Sequence, residues 1–351
     1  MFHQQLDPLH SVLGVTLLAL VPVVTLLALM AGLRLSAWKA VIVASVVTIV
    51  IALAAWSAPL GGSLSAYGLG AGTGFWAIDW IVFWGVVIYN TLVVTGAFED
   101  FKQWLISQAT ADVRVQAILM AWSFGALLEG LVGFGYPWAV VAPILITLGV
   151  ADLPALRVAA IANNAPVSFG ALGAPLIGLA AVTGLPLLQL SASVGKIVAI
   201  LALAPPWILL YLVAGRRGIR GGWPLAVVGS LAYIAGQFPV AEWVGPYLPD
   251  VTGSIVSFLA LLLLLRFWRP AQVLGFGGRV LTEAELARTP GAAGAVGDPD
   301  GQGPVAHPPA VPRARVLRAI IPFLILIAVV VAWTGPWSPL PKYLAFKPTV
   351  A

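Results

Sequence analysis

The sequence predicts an all-α polytopic membrane protein, and three observations carry that prediction. Hydrophobic residues make up 60% of the 351 and charged residues only 9%, against about 25% charged in ordinary globular chains. The apolar residues come in runs of roughly 20, the length a helix rising about 1.5 Å per residue needs to cross about 30 Å of hydrocarbon. Runs such as Ile255 to Leu265 are apolar nearly all round, whereas the strands of a membrane barrel alternate over about ten residues.

The apolar segments fall at about 11–33, 38–58, 75–98, 116–150, 155–183, 190–214, 223–239, 254–268 and 316–334. The first lacks a basic flank and a small-residue cleavage site, so it reads as a membrane helix and not as a cleaved signal. The fourth is too long for one crossing and reads as two short spans or a re-entrant hairpin, which makes about nine to ten membrane segments in all. Most of the 18 Lys and Arg residues sit between segments, where the positive-inside rule makes their loops cytoplasmic. Those loops hold Arg34 and Lys39, Lys102 and Arg114, Arg157, Arg216 to Arg220, and Arg266 to Arg318. The alternate loops, 59–74 and 240–253, hold no basic residue, and the second carries Glu242 and Asp250. The N-terminus then faces outside. Asp79, flanked by Trp76, Trp80 and Trp84, fits the outer aromatic belt.

Residues 1–268 thus form a transmembrane region. The stretch 269–313, rich in Gly, Pro and Ala, reads as a flexible cytoplasmic loop, with a short helix expected from Thr282 to Arg288 because Thr282 and Glu285 make a capping pattern. Residues 314–351 add one further transmembrane helix and a short C-terminal stump.

Composition also excludes. Cysteine is absent and the three histidines, His3, His10 and His307, lie in terminal or loop sequence, so disulfides, thiolate catalysis and a His-based metal centre are not expected. No cofactor is called for. The net charge of +5 is distributed among the loops, which accounts for it without nucleic acid. An intramembrane enzyme is disfavoured because Ser123 and Ser168 have no base in reach of their sequence except Glu129 or Lys196.

Two segments stand apart. One reads FGALLEGLVGFGYPWAVVAP over 124–143 and the other IANNAPVSFGALGAPLIG over 161–178. Gly130, Gly133, Gly135 and Pro137 in the first, and Pro166, Gly170, Gly173 and Pro175 in the second, interrupt a helix in mid-membrane. Glycines also serve close helix packing, but two neighbouring breaks with polar residues at the turn point to a substrate site, because unwound backbone survives in a bilayer only where protein or a wet cavity satisfies it. Half-helix N-termini suit a carboxylate.

Glu129 lies in the apolar centre of its segment, where a carboxylate costs at least about 2.5–3.5 kcal/mol. It is the candidate proton-coupling group. Asn163, Asn164 and Ser168 flank Pro166 and offer amide and hydroxyl groups to a hydroxyl-bearing ligand. Lys196, inside a span, either pairs with a substrate carboxylate or with Glu129, or snorkels to the outer interface.

The elements GALLEGLVGFGYPWAV and ANNAPVSFGALGAPL resemble the lactate permease family, whose members carry lactate and glycolate with protons. The resemblance implies half of an inverted-repeat secondary transporter, with the broken helices forming the site. On this chain the first family element falls on Leu128, Glu129, Gly130, Gly133, Phe134, Gly135 and Pro137. The second falls on Asn163, Ala165, Pro166, Phe169, Gly170, Ala171, Leu172 and Gly173. Tyr136 and Asn164 depart from the family pattern, which points to a preference different from lactate. Members also continue with several more helices, so the second half is expected either from a partner chain or not at all. Sodium coupling or anion exchange through the same residues is the alternative mechanism, and a non-transporting fragment the other.

Overall fold

In the computed structural model the described residues are 8–108, 111–133, 136–282, 312–334 and 338. Among them helix is the only extended secondary structure, apart from one isolated β-bridge between Leu274 and Val280. Five helical stretches are long and apolar enough to cross a membrane: Val12–Gly32, Ala37–Trp56, Pro166–Thr183, Leu187–Trp243 and Pro249–Phe267. This is a multi-pass membrane protein. It divides into two compact units, Met1–Trp76 and Ala77–Ala351.

In the first unit α1 (Val12–Leu27) starts where the Ser11 hydroxyl accepts from the Gly14 amide at 3.2 Å, and it runs on through a π-helical turn, Ala28–Gly32. Helix α2 (Ala37–Trp56) buries only Ala40 and Ala44, small residues that let it approach α1 closely. Leu17, Leu20, Val24 and Val43 are exposed, as suits helices solvated by lipid. Residues 59–74, expected as an outer loop, are instead largely a helix, α3 (Leu60–Thr73). Its glycines lower helix propensity in water, but in a bilayer a helix satisfies the backbone and a loop does not.

A π-helical turn, Gly74–Asp79, leads into α4 (Trp80–Val94), and α5 (Ala97–Gln108) follows. The centre of the second unit is a continuous run of helix: α6 (Val113–Gln116), a π-helical stretch Ala117–Phe124, and α7 (Gly125–Leu131). Ile118, Leu119, Met120, Trp122 and Phe124 are wholly buried, the pattern of a helix that passes through a core. The Trp122 indole donates to the Gly229 carbonyl at 3.0 Å. Around this axis pack α8 (Tyr136–Thr147), α9 (Asp152–Ala162), α10 (Gly170–Thr183), α12 (Pro205–Trp243) and α13 (Pro249–Phe267), while α11 (Leu187–Leu201) packs on α12 and α14 (Arg313–Thr334) on α5.

Two expectations about loops are corrected here. Arg216, Arg217 and Arg220 lie within α12, which kinks at Ala214 and Gly215, the latter at φ 57°. The chain folds back at that glycine, and Gly218 packs directly on the Leu210 carbonyl. Residues 269–282, expected to be flexible, are folded: the Val113 amide donates to the Leu274 carbonyl at 2.9 Å and the Leu274 amide to Asp112 Oδ2 at 3.1 Å. The expected helix Thr282–Arg288 and the rest of that stretch to 311 lie outside the described residues.

Candidate functional site

Both motif segments are interrupted. In the first, α7 ends as the Val132 and Gly133 amides both turn back to the Leu128 carbonyl, at 2.8 and 3.3 Å. Gly133 takes φ +68°, the left-handed value at which a helix commonly terminates. The chain resumes as a helix at Tyr136, while Phe134 and Gly135 lie outside the described residues. In the second, α9 ends at Ala162, a 3-10 turn spans Pro166–Phe169, and Ala171, Leu172 and Gly173 follow with φ of 45°, 54° and 79°. Left-handed backbone costs a non-glycine residue roughly 1–2 kcal/mol. Strain of this kind persists only where the surroundings hold it, and it gathers at functional sites.

The two breaks meet. A Cβ on Gly133 would lie 2.7 Å from the Ala171 amide nitrogen, and one on Gly173 would lie 2.5 Å from the Pro246 carbonyl oxygen. The Glu129 carboxylate rests directly on the Cα of Gly170. Each of these glycines is therefore required by a close approach of backbone or carboxylate, and Gly133 and Gly173 by their positive φ as well.

Glu129 itself is 2% exposed. Its Oε2 accepts from Asn163 Nδ2 at 3.1 Å, so a residue of each broken segment takes part in one hydrogen bond. Asn163 is buried too, and its Oδ1 has no partner among the described residues. Of the other residues singled out in the sequence, Asn164 is exposed and Ser168 half-buried. Lys196 stands apart from Glu129: its side chain is 60% exposed and its ammonium lies 3.3 Å from Glu242.

Sequence reasoning passed over a second acid. Asp250, read as part of an outer loop, is the second residue of α13 and only 1% exposed. Its Oδ1 accepts from the Tyr233 hydroxyl at 2.6 Å, and its Oδ2 has no partner among the described residues. It adjoins the first break, since a Cβ on Gly130 would come within 2.8 Å of Asp250 Cβ. The available signal was the pair Pro249–Asp250, because proline at the first helical position with an acid in the first turn marks a helix start.

The arrangement places an acid, an amide and unwound backbone at the junction of two chain breaks. An amide oxygen without a donor accepts from a ligand hydroxyl, and a carboxyl binds or releases a proton. No cluster of three or more histidine or carboxylate side chains among the described residues is arranged to hold a metal. A cavity of about 320 Å³ bounded by Phe124, Leu127, Leu131, Phe258 and Leu324 lies beside α7, but its walls are apolar and Glu129 is not among them.

Residues 15–346 match the L-lactate permease family. The chain is 36% identical over 318 residues to the glycolate permease GlcA of Escherichia coli strain K12, covering 91% of this chain and 55% of that protein. It is 31% identical over 338 residues to the L-lactate permease of the same strain, covering 96% and 58%, and 34% identical over 322 residues to that of Bacillus subtilis strain 168, covering 91% and 54%. The chain thus spans little more than half the length of these curated relatives. No solved structure matches it.

Proposed function

The chain belongs to the L-lactate permease family, and from that premise we propose that it carries a small 2-hydroxy monocarboxylate, lactate or glycolate, across the cell's inner membrane together with protons. The observation that bears most weight is the Asn163–Glu129 hydrogen bond at the contact of the two broken segments. It sets a proton-binding carboxyl beside a free amide acceptor, where an anion's hydroxyl and the backbone ends of interrupted helices can meet.

In this reading Glu129 takes a proton on one side, the anion binds against Asn163, Ser168 and the backbone at Gly133 and Gly170, and the loaded unit exposes them to the other side. Cotransport with protons offsets the opposition of the membrane potential to an entering anion, about 2.3 kcal/mol per charge per 100 mV. Asn164, exposed at the turn, and Gly173 shape the approach. Lys196, engaged by Glu242, acts on the outer approach of an anion and not at the acid itself.

Uptake of labelled lactate and glycolate into vesicles holding the protein tests this. Uptake should collapse with an uncoupler, survive replacement of sodium by choline, and fall about 10²-fold in Glu129→Gln, the lower range for a positioned proton-transfer group. Uptake by that variant equal to wild type would remove Glu129 from the mechanism, and dependence on sodium would replace the coupling ion.

A further inference from the structure

The mechanism above uses one buried acid, yet the same junction holds two. Asp250 and Glu129 approach from α13 and α7 with only the backbone of Gly130 between their helices. Glu129 directly precedes Gly130, on whose backbone the Asp250 side chain rests. Among the described residues neither acid has a cation: Arg114 is engaged by Asp112, and Lys196 by Glu242 on the exposed side of α11. The titratable groups that face Asp250 are Tyr233 from α12 and Glu129 from α7. The 3-10 turn Pro166–Phe169 and the stretch Ala117–Phe124, which also pack on α13, contain none.

Among the described residues Asp250 Oδ2 and Asn163 Oδ1 are both buried acceptors without a donor, and Gln237 on α12, a turn beyond Tyr233, has neither amide atom paired. Unmet acceptors in a low-dielectric interior are costly, and a proton on a carboxyl turns one of them into a donor. Tyr233 is fixed for its part: it is wholly buried, its ring centroid is 4.9 Å from that of Trp122, and its hydroxyl is aimed at Asp250 Oδ1.

We propose that Asp250 is a second proton-carrying carboxyl of the transport site, coupled to Glu129, with Tyr233 as its positioning residue. The proposal rests on the anion–proton reading above and extends it. An anion entering this junction adds a negative charge to a buried volume that already holds two acids, and each proton bound removes one. Proton and anion binding therefore favour each other, and by linkage the effect is reciprocal. The only bond made or broken is the O–H of the carboxyl, whose proton comes from water on one face and returns to water on the other. Two acids this close titrate as a pair.

Infrared difference spectra of the whole purified chain in lipid, followed through a pH titration, read the C=O stretch of protonated carboxyls directly. Wild type should show two coupled steps. Asp250→Asn should delete one and displace the other along the pH axis. Tyr233→Phe should keep both and displace the Asp250 step, which a merely structural tyrosine would not do. Lactate-driven proton uptake in weak buffer should fall by roughly half in Asp250→Asn, one of two coupled groups being lost. Spectra and proton uptake unchanged in Asp250→Asn overturn the proposal and leave the lactate reading intact. An Asp250-dependent carboxyl step in a protein that takes up no protons with lactate sinks that reading and leaves Asp250 as a proton site.

Discussion

Asn163 Nδ2 donates to Glu129 Oε2 at 3.1 Å, and this one bond links the turn after α9 to α7 inside the second unit. Replacing Asn163 by Ala leaves a buried acid without its amide donor, which costs about 1–3 kcal/mol. Thermal unfolding in detergent should register that loss. Asn163→Asp should be worse than Asn163→Ala, because it sets a like charge against Glu129. Equal stability of the two variants would show that Glu129 is uncharged in that state.

Gly170→Ala tests how closely the second break must approach the acid. Any Cβ there enters the space of the Glu129 carboxyl, which must swing away from Asn163. Lactate uptake should fall as it does in Glu129→Gln, while the fold persists at a cost of about 1–3 kcal/mol, the usual penalty for overpacking. Gly70→Ala in α3 is the control, since a Cβ there meets nothing within 4 Å. It should be neutral or stabilise by about 0.5–1 kcal/mol, measured by the same unfolding assay.

Glu129 and Asn163 were legible in the sequence because each breaks a rule of its surroundings, an acid in an apolar run and amides at a helix break. Asp250 was not. It lies among Pro246, Tyr247 and Pro249, residues that read as an interfacial turn, and its burial depends on Tyr233 on the preceding helix. Helix α3 was missed because glycine and serine mark loops by propensities measured in water, whereas a bilayer favours any structure that closes its own hydrogen bonds. The fold of 269–282 was invisible for a third reason. Its docking group is Asp112, 162 positions away from Leu274, and local composition carries no trace of a partner at that distance.

Trp122 joins the packing to the site. Its indole donates to Gly229 and its ring lies against Tyr233, both on α12. Trp122→Phe keeps most of the apolar volume but leaves the Gly229 carbonyl dependent on Ser257, which also donates to it at 3.0 Å. A modest loss of about 1 kcal/mol is expected. Trp122→Ala should cost about 3–5 kcal/mol and free the Tyr233 ring, so it should also displace the Asp250 carboxyl step in the infrared titration. A displaced step in Ala but not in Phe would separate ring packing from the hydrogen bond.

Asp112 governs the docked segment. Its Oδ1 accepts from the amide of Arg114 at 2.9 Å and from Arg114 Nε at 2.8 Å, while Oδ2 accepts from Arg114 Nη2 and from the Leu274 amide. Arg114 also donates to the Gln272 carbonyl at 2.6 Å, with its own side chain only 3% exposed. Asp112→Ala removes the partner of a buried guanidinium, which costs about 3–5 kcal/mol, whereas replacing both members of such a pair by apolar residues is often close to neutral. Arg114→Met added to Asp112→Ala should therefore recover much of the stability lost by the single change. It should not recover the segment, because the Leu274 amide stays without its Asp112 acceptor in both variants and the double variant also takes Arg114 from the Gln272 carbonyl. Trypsin should then cut after Arg279, inside the docked segment, faster than in wild type, in the single and the double variant alike. A double variant as resistant as wild type would mean that 269–282 is held by its apolar contacts, and that the Asp112–Arg114 pair is incidental to it.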